Sequence, residues 1–219
     1  MFLGGKSSVT KLLQQALGPR VKTYNQDHYY HNEDFKGHVV IPDLKHINWE
    51  LEKAFNNQKL FDEISETDKS FRGPSKIASP DFLPIVQALQ SKPANHFVKD
   101  NEVTSETLDL FSKISPHIQL QLVEGITVLE SKILSEICDL KVFITLDHSS
   151  CAARRQKRTY DPPDPEGYFE AIVWPAYLDQ LKIIQGDPNV HFIEGTKSME
   201  EIFVKTLKLI VDILIKHHQ

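Results

Sequence analysis

Several short stretches of the sequence combine residue types that could bind or transfer phosphate. The first is Gly4-Gly5-Lys6-Ser7-Ser8, which matches the second half of a phosphate-binding loop, G-x-x-x-x-G-K-[ST], at the start of a predicted helix. In the full pattern the backbone N–H groups surround the phosphates, the lysine reaches the terminal ones, and the hydroxyl ligates Mg²⁺. A glycine turn before a helix is common, so these residues alone leave phosphate binding open.

Two acidic residues stand at the ends of apolar runs that are predicted to be strands. Asp27 follows the run at 21–26, and Glu124 ends the run "IQLQLVE" at 118–124. Ligands of open α/β sheets bind at the carboxyl ends of parallel strands. Asp27 could therefore accept a proton from an attacking hydroxyl, and Glu124 could hold a metal ion through water. From the residues alone, a turn or helix cap at Asp27 and an ordinary strand end at Glu124 stay open.

An aromatic and an acidic residue are adjacent in "INWELEKAFN", at 47–56. Trp49 could stack on a flat ring, and Glu50 could accept hydrogen bonds from sugar hydroxyls. The alternative is structural, with Trp49 in the core at a helix start and Glu50 in the first turn, which favours acidic residues. The two residues alone do not decide between these interpretations.

The densest group of positive charge lies in "CAARRQKRTYDPPDPEGYFEAIVWPAYL", at 151–178. It contains Arg154, Arg155, Lys157 and Arg158, and Tyr160 follows with a proline-rich turn. Arginine suits phosphate because its charge is permanent and its planar guanidinium donates in a fork. A solvated basic helix face would also explain the run, but its place in an acidic protein with half a phosphate loop favours phosphate binding.

Composition and charge exclude several classes of protein. The 219 residues are 40% hydrophobic and 25% charged, which is typical of a globular chain with one sizeable core. A net charge of -5 argues against general binding to nucleic acid or anionic membranes. Cys138 and Cys151 lack metal-site spacing, so we expect a reducing compartment, the cytoplasm. No apolar run is long enough to cross a bilayer, and "IFVKTLKLIVDILIK" predicts a terminal helix with one buried face.

The elements that would position these residues alternate along the chain. Strands are predicted at 21–26, 118–124, 141–147 and 190–194, and helices at 6–17, 49–64, 128–139, 149–157, 168–185 and 199–216. This alternation predicts an α/β fold in which a parallel β-sheet is sandwiched by helices. The proline-rich, polar stretch 57–116 is expected to be an irregular insertion with two short helices, near "FLPIVQALQ" and "ETLDLFSKI", within a single domain spanning 1–219.

The order of these motifs resembles that of the nicotinamide riboside kinases, relatives of the uridine kinases within the P-loop fold. The likeness is carried by "KRTYDPPDPEGYFEAIVWPAYL", "FIEGTKSMEEIF", "NQDHYY" and "NWE", and it covers roughly 1–56 and 117–215. The most specific motif, Tyr-x-Pro-Pro-Asp-x-x-Gly-Tyr-Phe, resembles part of the family's lid, which would span about 151–167. The resemblance implies phosphorylation of the ribose 5′-hydroxyl of nicotinamide riboside by ATP and Mg²⁺, giving nicotinamide mononucleotide for NAD biosynthesis by salvage.

The resemblance also assigns roles at the phosphate end of the site. It implies that Lys6 contacts the transferred phosphates, that Ser7 ligates Mg²⁺, and that Asp27 is the general base. Glu124 matches an acidic residue near the metal and the substrate. The ATP site would comprise the loop, two lid arginines and a loop beside the adenine, namely Gly4, Gly5, Lys6, Ser7, Ser8, Arg154, Arg158, Thr196 and Lys197.

At the substrate end the resemblance implies an enclosed riboside. Glu50 stands where the family often has an aspartate that binds the ribose 2′- and 3′-hydroxyls, with Arg155 as its helper; glutamate is one methylene longer. Trp49 and Tyr160 would lie on the two faces of the nicotinamide ring, with Tyr30 nearby. Aromatic rings hold a flat cationic pyridinium by stacking and by cation–π attraction.

The family's first strand and first loop glycine are absent from this sequence. We therefore expect a shortened product of a full-length kinase, with lowered stability and impaired ATP binding. Two alternatives stay open: a pyrimidine nucleoside kinase acting on uridine or cytidine, and a catalytically inactive protein that binds a riboside and acts through partners. As an enzyme it would bind a small-molecule nucleoside and ATP, with no nucleic acid or membrane, and we expect a monomer.

Overall fold

The computed structural model describes residues 5–19, 21–71, 81–112 and 119–218. The strands are β1 (Val21–Asn25), β2 (Val40–Ile41), β3 (His46–Ile47), β4 (Val98–Lys99), β5 (Glu102–Val103), β6 (Leu120–Glu124), β7 (Lys141–Thr145) and β8 (Val190–Glu194). The α-helices are α1 (Lys6–Leu17), α2 (Asn57–Phe71), α3 (Leu83–Ser91), α4 (Ser105–Ser112), α5 (Lys132–Ser135), α6 (His148–Arg155), α7 (Trp174–Gln185) and α8 (Met199–His218). Short 3₁₀ turns cover Gln26–Tyr29, Glu52–Ala54 and Ala94–His96, and a π-helical turn, Phe169–Val173, precedes α7.

Two parallel strand pairs form the centre of the fold. β1 pairs with β6 in a register that sets Asn25 opposite Glu124, and β7 pairs with β8 so that Thr145 lies opposite Glu194. Among the described residues no ladder joins β6 to β7, and β2–β3 and β4–β5 are separate antiparallel hairpins. The α/β class and the four predicted strands are confirmed, although the strands form two parallel pairs and not one continuous sheet.

Helices cover both faces of these strands. Leu122 of β6 and Ile144 of β7 pack into the largest core cluster, which α1 and α8 dominate. Their neighbours Val123 and Phe143 pack into clusters with α2 and α7, respectively. Successive residues of a strand point to opposite faces, so this alternation gives each strand pair two helical layers. The predicted arrangement of helices on both faces is confirmed.

The terminal helix has the one-sided pattern that its sequence predicts. α8 buries Phe203 and Leu207 in the main core, whereas Lys205, Lys208 and Asp212 are exposed. None of the described helices is long and apolar enough to cross a membrane.

The helix predicted at 49–64 is wrong at its start, because α2 begins only at Asn57. Side chains satisfy the earlier backbone donors. The amide of Trp49 donates to the hydroxyl of Tyr168 at 3.0 Å, and the amide of Glu50 donates to Oδ1 of Asn48 at 3.1 Å. Trp49 and Glu50 therefore lie in an extended turn and not in a helix.

The stretch 57–116 is more regular than expected in its described parts. It contains α2, which is 15 residues long, together with α3, the β4–β5 hairpin and α4. The two short helices predicted near 82–90 and 106–114 are confirmed as α3 and α4. The helix predicted at 128–139 is cut to Lys132–Ser135, because the Thr127 carbonyl accepts from the amides of Glu130 and Ser131 and forms a turn first.

Candidate active site

The phosphate end of the site is built on the first turn of α1. Gly5 caps the helix with a φ of 85°, a left-handed backbone conformation that residues other than glycine rarely adopt. The helix N-terminus presents unpaired amides and a positive dipole end, so it suits an anion. Lys6 and Ser7 open the helix and Ser8 is exposed beside them. Gly4, predicted to belong to this loop, lies outside the described residues.

The charge of Lys6 interacts with three acidic side chains. Burial lowers the pKa of Lys6 below its ordinary value, and the negative charges of Asp27, Glu124 and Glu50 oppose that shift. The Oγ of Ser7 donates to Oε2 of Glu124 at 2.7 Å. Residues that are separated by more than a hundred positions in the sequence therefore meet where β1 and β6 end.

Asp27 lies in the 3₁₀ turn that follows β1. Its amide donates to Oδ1 of Asn25 at 2.9 Å, and Asn25 is the residue paired with Glu124 across the two strands. The Oδ1 atom of Asp27 is buried and has no hydrogen-bond partner in the described part of the chain. A carboxylate oxygen held in this way is ready to accept a proton from a ligand.

The donors near α1 suit a magnesium ion that is shared with a ligand. No group of three His, Cys, Asp or Glu side chains able to hold a metal occurs among the described residues. Ser7 and Glu124 supply a hydroxyl and a carboxylate oxygen in contact with each other. Mg²⁺ is commonly held by one or two protein oxygens plus waters and phosphates, so this donor set fits the ion.

A buried ion cluster forms the opposite end of the site. Arg155 donates from Nε and Nη2 to the two carboxylate oxygens of Asp164, at 2.6 and 3.0 Å, and its Nη2 lies 3.1 Å from Oε1 of Glu50. Glu50 is 4% exposed and Arg155 is 6% exposed. Burial alone would lower the pKa of Arg155, but the hydrogen bonds to Asp164 and the charge of Glu50 outweigh it and raise the pKa. The cluster is thus ionised and fixed before any ligand arrives.

Aromatic rings surround this cluster. The Arg155 guanidinium lies 4.4 Å from the ring centre of Tyr160 and 5.5 Å from that of Tyr168. The Tyr168 hydroxyl accepts from the Trp49 amide, and the ring of Trp49 meets that of Tyr30 edge-on at 5.5 Å. Burial raises the pKa of Tyr30 and of Tyr160, so both hydroxyls stay protonated at neutral pH.

Three buried polar atoms of this end have no hydrogen-bond partner within the described ranges. They are Nη1 of Arg155, the hydroxyl of Tyr160 and Nε1 of Trp49. Buried polar groups are nearly always paired in folded proteins. Several unpaired groups around one ion cluster therefore indicate a place where a polar ligand supplies the missing partners.

The segment with the arginine run starts on a well-capped helix. Asp147 caps α6 and accepts hydrogen bonds from Ser149 and Ser150, which hold its pKa well below the ordinary value. At the other end of α6, Arg154 donates from Nη2 to the carbonyl of Gly195 at 2.8 Å. This contact sets Arg154 beside the loop that carries the exposed residues Thr196 and Lys197. Arg158 is exposed, and its charge acts on both Lys6 and Tyr160.

Cavity size alone does not identify this site. A cleft of about 510 Å³ lies between α7 and β8, and it includes Thr196 but neither Lys6 nor Asp27. A second cavity, of about 300 Å³, lies beside α1 and includes Ser7 and Glu124. The convergence of charged groups and the unpaired polar atoms identify the candidate site instead.

Known proteins with related sequences bear on this arrangement. Nicotinamide riboside kinase 1 from Rattus norvegicus is 26% identical over 206 residues, which cover 91% of this chain and 85% of that kinase. Nicotinamide riboside kinase 2 from Homo sapiens is 24% identical over 220 residues, covering 100% of this chain and 81% of that kinase. A uridine kinase from Macrococcus caseolyticus is 26% identical over 201 residues, which cover 91% of this chain and 82% of that kinase. No model of a protein family matches the chain.

The chain is similar in sequence to nicotinamide riboside kinases and to uridine kinases over most of its length. The resemblance predicted from "NQDHYY", "NWE" and the 151–178 segment is thereby confirmed. The structure brings the predicted residues together in two groups. The group at the phosphate end is Lys6, Ser7, Asp27 and Glu124. The group at the opposite end is Glu50, Arg155, Tyr160, Trp49 and Tyr30.

Three residues of this kinase homologue were missed by the sequence analysis. Asp164 accepts two hydrogen bonds from the guanidinium of Arg155, and the hydroxyl of Tyr168 accepts one from the amide of Trp49. Both lie in the Tyr-x-Pro-Pro-Asp-x-x-Gly-Tyr-Phe run, so the motif itself contained the signal. Gln26, next to Asp27, is fully buried and forms three hydrogen bonds, with Asn57 and Thr127, that no spacing pattern indicates.

Proposed function

We propose that this protein transfers the γ-phosphoryl group of ATP to the 5′-hydroxyl of a nucleoside, and that its substrate is nicotinamide riboside. The observation that carries the proposal is the convergence of Lys6, Asp27 and Glu124 where β1 and β6 end. Phosphoryl transfer depends mainly on positioning and charge neutralisation, and these groups supply both. Homology to nicotinamide riboside kinases and uridine kinases supports the same reaction class.

Asp27 acts as the general base in this proposal. Its carboxylate accepts the proton of the 5′-hydroxyl while the 5′-oxygen forms a bond to the γ-phosphorus. The bond between that phosphorus and the β,γ-bridging oxygen breaks, and ADP leaves with the electron pair. The buried, unpartnered Oδ1 of Asp27 supports this role, because a ligand hydroxyl would give it a hydrogen-bond donor.

The phosphates of ATP lie against the first turn of α1. The amides that follow Gly5, together with Lys6 and Ser8, bind their oxygens. Ser7 and Glu124 are the residues that would hold Mg²⁺, which neutralises charge on the phosphate oxygens when it is bound. Arg154 and Arg158 face ATP from the segment at 151–167, which acts as a lid and excludes water, while Thr196 and Lys197 flank the adenine.

The riboside occupies the buried end of the site. Glu50 and Arg155 hydrogen-bond to the ribose 2′- and 3′-hydroxyls, and Trp49, Tyr160 and Tyr30 contact the base. Charge favours a cationic base here. Glu50 and Asp164 each place a negative charge at this end of the site, and a pyridinium ring gains from those charges.

A pyrimidine nucleoside kinase is the second candidate. The uridine kinase homologues favour it, and stacking rings do not by themselves select a base. A catalytically inactive riboside-binding protein is the third, because the buried ion cluster could bind a ribose without any phosphate chemistry.

The test is a side-by-side measurement of turnover with nicotinamide riboside, uridine and cytidine, each with ATP and Mg²⁺. We expect nicotinamide mononucleotide as the main product. Faster turnover of uridine or cytidine would overturn the substrate assignment. Calorimetric binding of a riboside without any phosphorylated product would favour the inactive binding protein.

A further inference from the structure

Gln26 joins three separate elements of the fold through its side-chain amide. The residue is fully buried at the end of β1. Its Nε2 donates to Oδ1 of Asn57 at 2.8 Å and to Oγ1 of Thr127 at 2.9 Å, and its Oε1 accepts from the Thr127 amide at 3.1 Å. The end of β1, the turn after β6 and the start of α2 are thereby tied to one side chain.

The turn after β6 is shaped around this side chain. A Cβ atom at Gly125 would clash with Oε1 of Gln26, so a residue larger than glycine would push the amide away. The next carbonyl, that of Ile126, accepts from Nε2 of Gln180 in α7. Residues 125–127 are thus held from two sides by buried glutamines.

The tie lies directly between two groups of the candidate site. Gln26 immediately precedes Asp27, and Thr127 lies three residues after Glu124. Asp27 is carried on the 3₁₀ turn after β1, whereas Glu124 is the last residue of β6 and is paired with Asn25. The hydrogen bonds of Gln26 connect the turn that carries Asp27 to the turn that follows Glu124, so they help to set the separation of the two carboxylates.

We propose that Gln26 is a positioning residue that holds Asp27 at a fixed distance from Glu124 and Ser7. The proposal rests on the proposed kinase function. Gln26 itself touches neither substrate nor phosphate and acts only through the two turns. Loss of its hydrogen bonds would leave ligand binding intact and would misalign the 5′-hydroxyl, its base and the phosphate.

The test compares Gln26→Met, which keeps the approximate side-chain volume, with a matched control, Thr107→Val. Thr107 is also fully buried, and its Oγ1 donates to the Phe97 carbonyl at 2.9 Å, but it lies in α4, outside the site. We expect kcat of Gln26→Met to fall about 10–100-fold, because small misplacements of reacting groups are costly. KM for ATP and for the riboside should change less than about twofold, and Thr107→Val should keep the wild-type kcat.

Thr127→Val provides a second variant, which removes the hydroxyl that accepts a hydrogen bond from Nε2 of Gln26. The double variant Gln26→Met/Thr127→Val should be no slower than the slower single variant, because both changes break one connection. Additive losses in the double variant, or an unchanged kcat in folded Gln26→Met, would overturn the positioning role.

Amide hydrogen exchange tests the same role without any turnover. In Gln26→Met the amides of Thr127, Asp27 and Glu124 should exchange at least about tenfold faster, while Thr107→Val leaves them unchanged. Unchanged exchange at Asp27 and Glu124 would overturn the proposal whatever the activity. A wild-type protein that phosphorylates no riboside, but whose exchange responds as expected, would instead refute the proposed function alone.

Discussion

The two ends of the candidate site differ in how deeply their charged side chains are buried. At the riboside end, the Arg155 and Glu50 side chains are 7% and 2% exposed and are paired with each other. At the phosphate end, Ser7 and Arg158 are exposed, and Lys6 is only half-buried. The charged groups of the riboside end are therefore preorganised by burial and pairing, whereas those of the phosphate end are more open to a ligand.

The pKa directions show the same contrast. The hydrogen bonds of Asp164 and the charge of Glu50 outweigh the effect of burial and raise the pKa of Arg155, which stabilises its positive form. Burial lowers the pKa of Lys6, and the positive charge of Arg158 lowers it further, against the nearby carboxylates. Bound phosphate would relieve this repulsion, so we expect ATP to bind more tightly as Lys6 becomes protonated.

Loss of Arg155 should have the largest effect on stability. Arg155→Met removes the cation that contacts the buried Glu50 and the partly exposed Asp164, and breaking a buried pair in this way costs roughly 3–5 kcal/mol. The free energy of unfolding, measured by denaturant titration, should fall by that amount, and riboside affinity should be lost.

Arg154→Met is the matched control on the same helix. Its hydrogen bond to the neutral Gly195 carbonyl contributes about 1 kcal/mol, so we expect a smaller loss of stability than for Arg155→Met, together with weaker ATP binding. Equal destabilisation by the two variants would remove the contrast between the two ends of the site.

Asp164→Asn should change substrate preference more than stability. It keeps a hydrogen-bond acceptor for Arg155 but removes one negative charge from the Glu50–Arg155–Asp164 cluster. Removal of one charge near the base is worth on the order of 1.4 kcal/mol, about tenfold. The ratio of kcat/KM for nicotinamide riboside to that for uridine should fall by about this factor, and an unchanged ratio would count against electrostatic selection of a cation.

Ser7→Ala should leave the fold nearly intact and impair only the phosphate end. The exposed bond from Ser7 to Glu124 contributes no more than about 1 kcal/mol. The Mg²⁺ concentration that gives half-maximal velocity should rise several-fold. Ser91→Ala, which removes an exposed hydroxyl bonded to the Gln87 carbonyl, is the control and should change neither quantity. An unchanged Mg²⁺ requirement in Ser7→Ala would remove this residue from the metal site.

The smallest effect concerns the turn that carries Asp27. Burial, followed by the hydrogen bond to Glu63 at 2.7 Å, raises the pKa of Tyr29 to about 12, from 10.0 in an unfolded chain. Between these values the unfolded chain loses this proton first, so the free energy of unfolding falls as pH rises from about 10 to about 12. Tyr29→Phe should lose this part of the pH dependence. Tyrosinate absorbance during alkaline titration measures the ionisation of Tyr29. Identical titrations of the wild type and Tyr29→Phe would contradict the raised pKa.

The strands and the order of the site residues could be predicted from the sequence. The apolar runs predicted at 21–26, 118–124 and 141–147 contain β1, β6 and β7, and their alternation with helical patterns predicts the parallel pairing. Asp27 and Glu124 meet for the same reason, since the carboxyl ends of paired parallel strands lie at one edge.

The remaining features depend on contacts between distant residues. Nothing local shows that the Tyr168 hydroxyl takes the Trp49 amide and thereby excludes a helix at that point. The same holds for Gln26, whose partners Asn57 and Thr127 lie far away in sequence. Polar ties of this kind have no periodicity, so pattern analysis does not detect them.

The role of Asp27 is tested most directly by product formation from nicotinamide riboside and ATP–Mg²⁺, followed for wild type and Asp27→Asn. Asn keeps the shape of the side chain but cannot accept the proton. We expect turnover to fall by roughly 10²–10⁴-fold while ATP affinity stays nearly the same. An Asp27→Asn protein that forms nicotinamide mononucleotide at the wild-type rate would contradict the account.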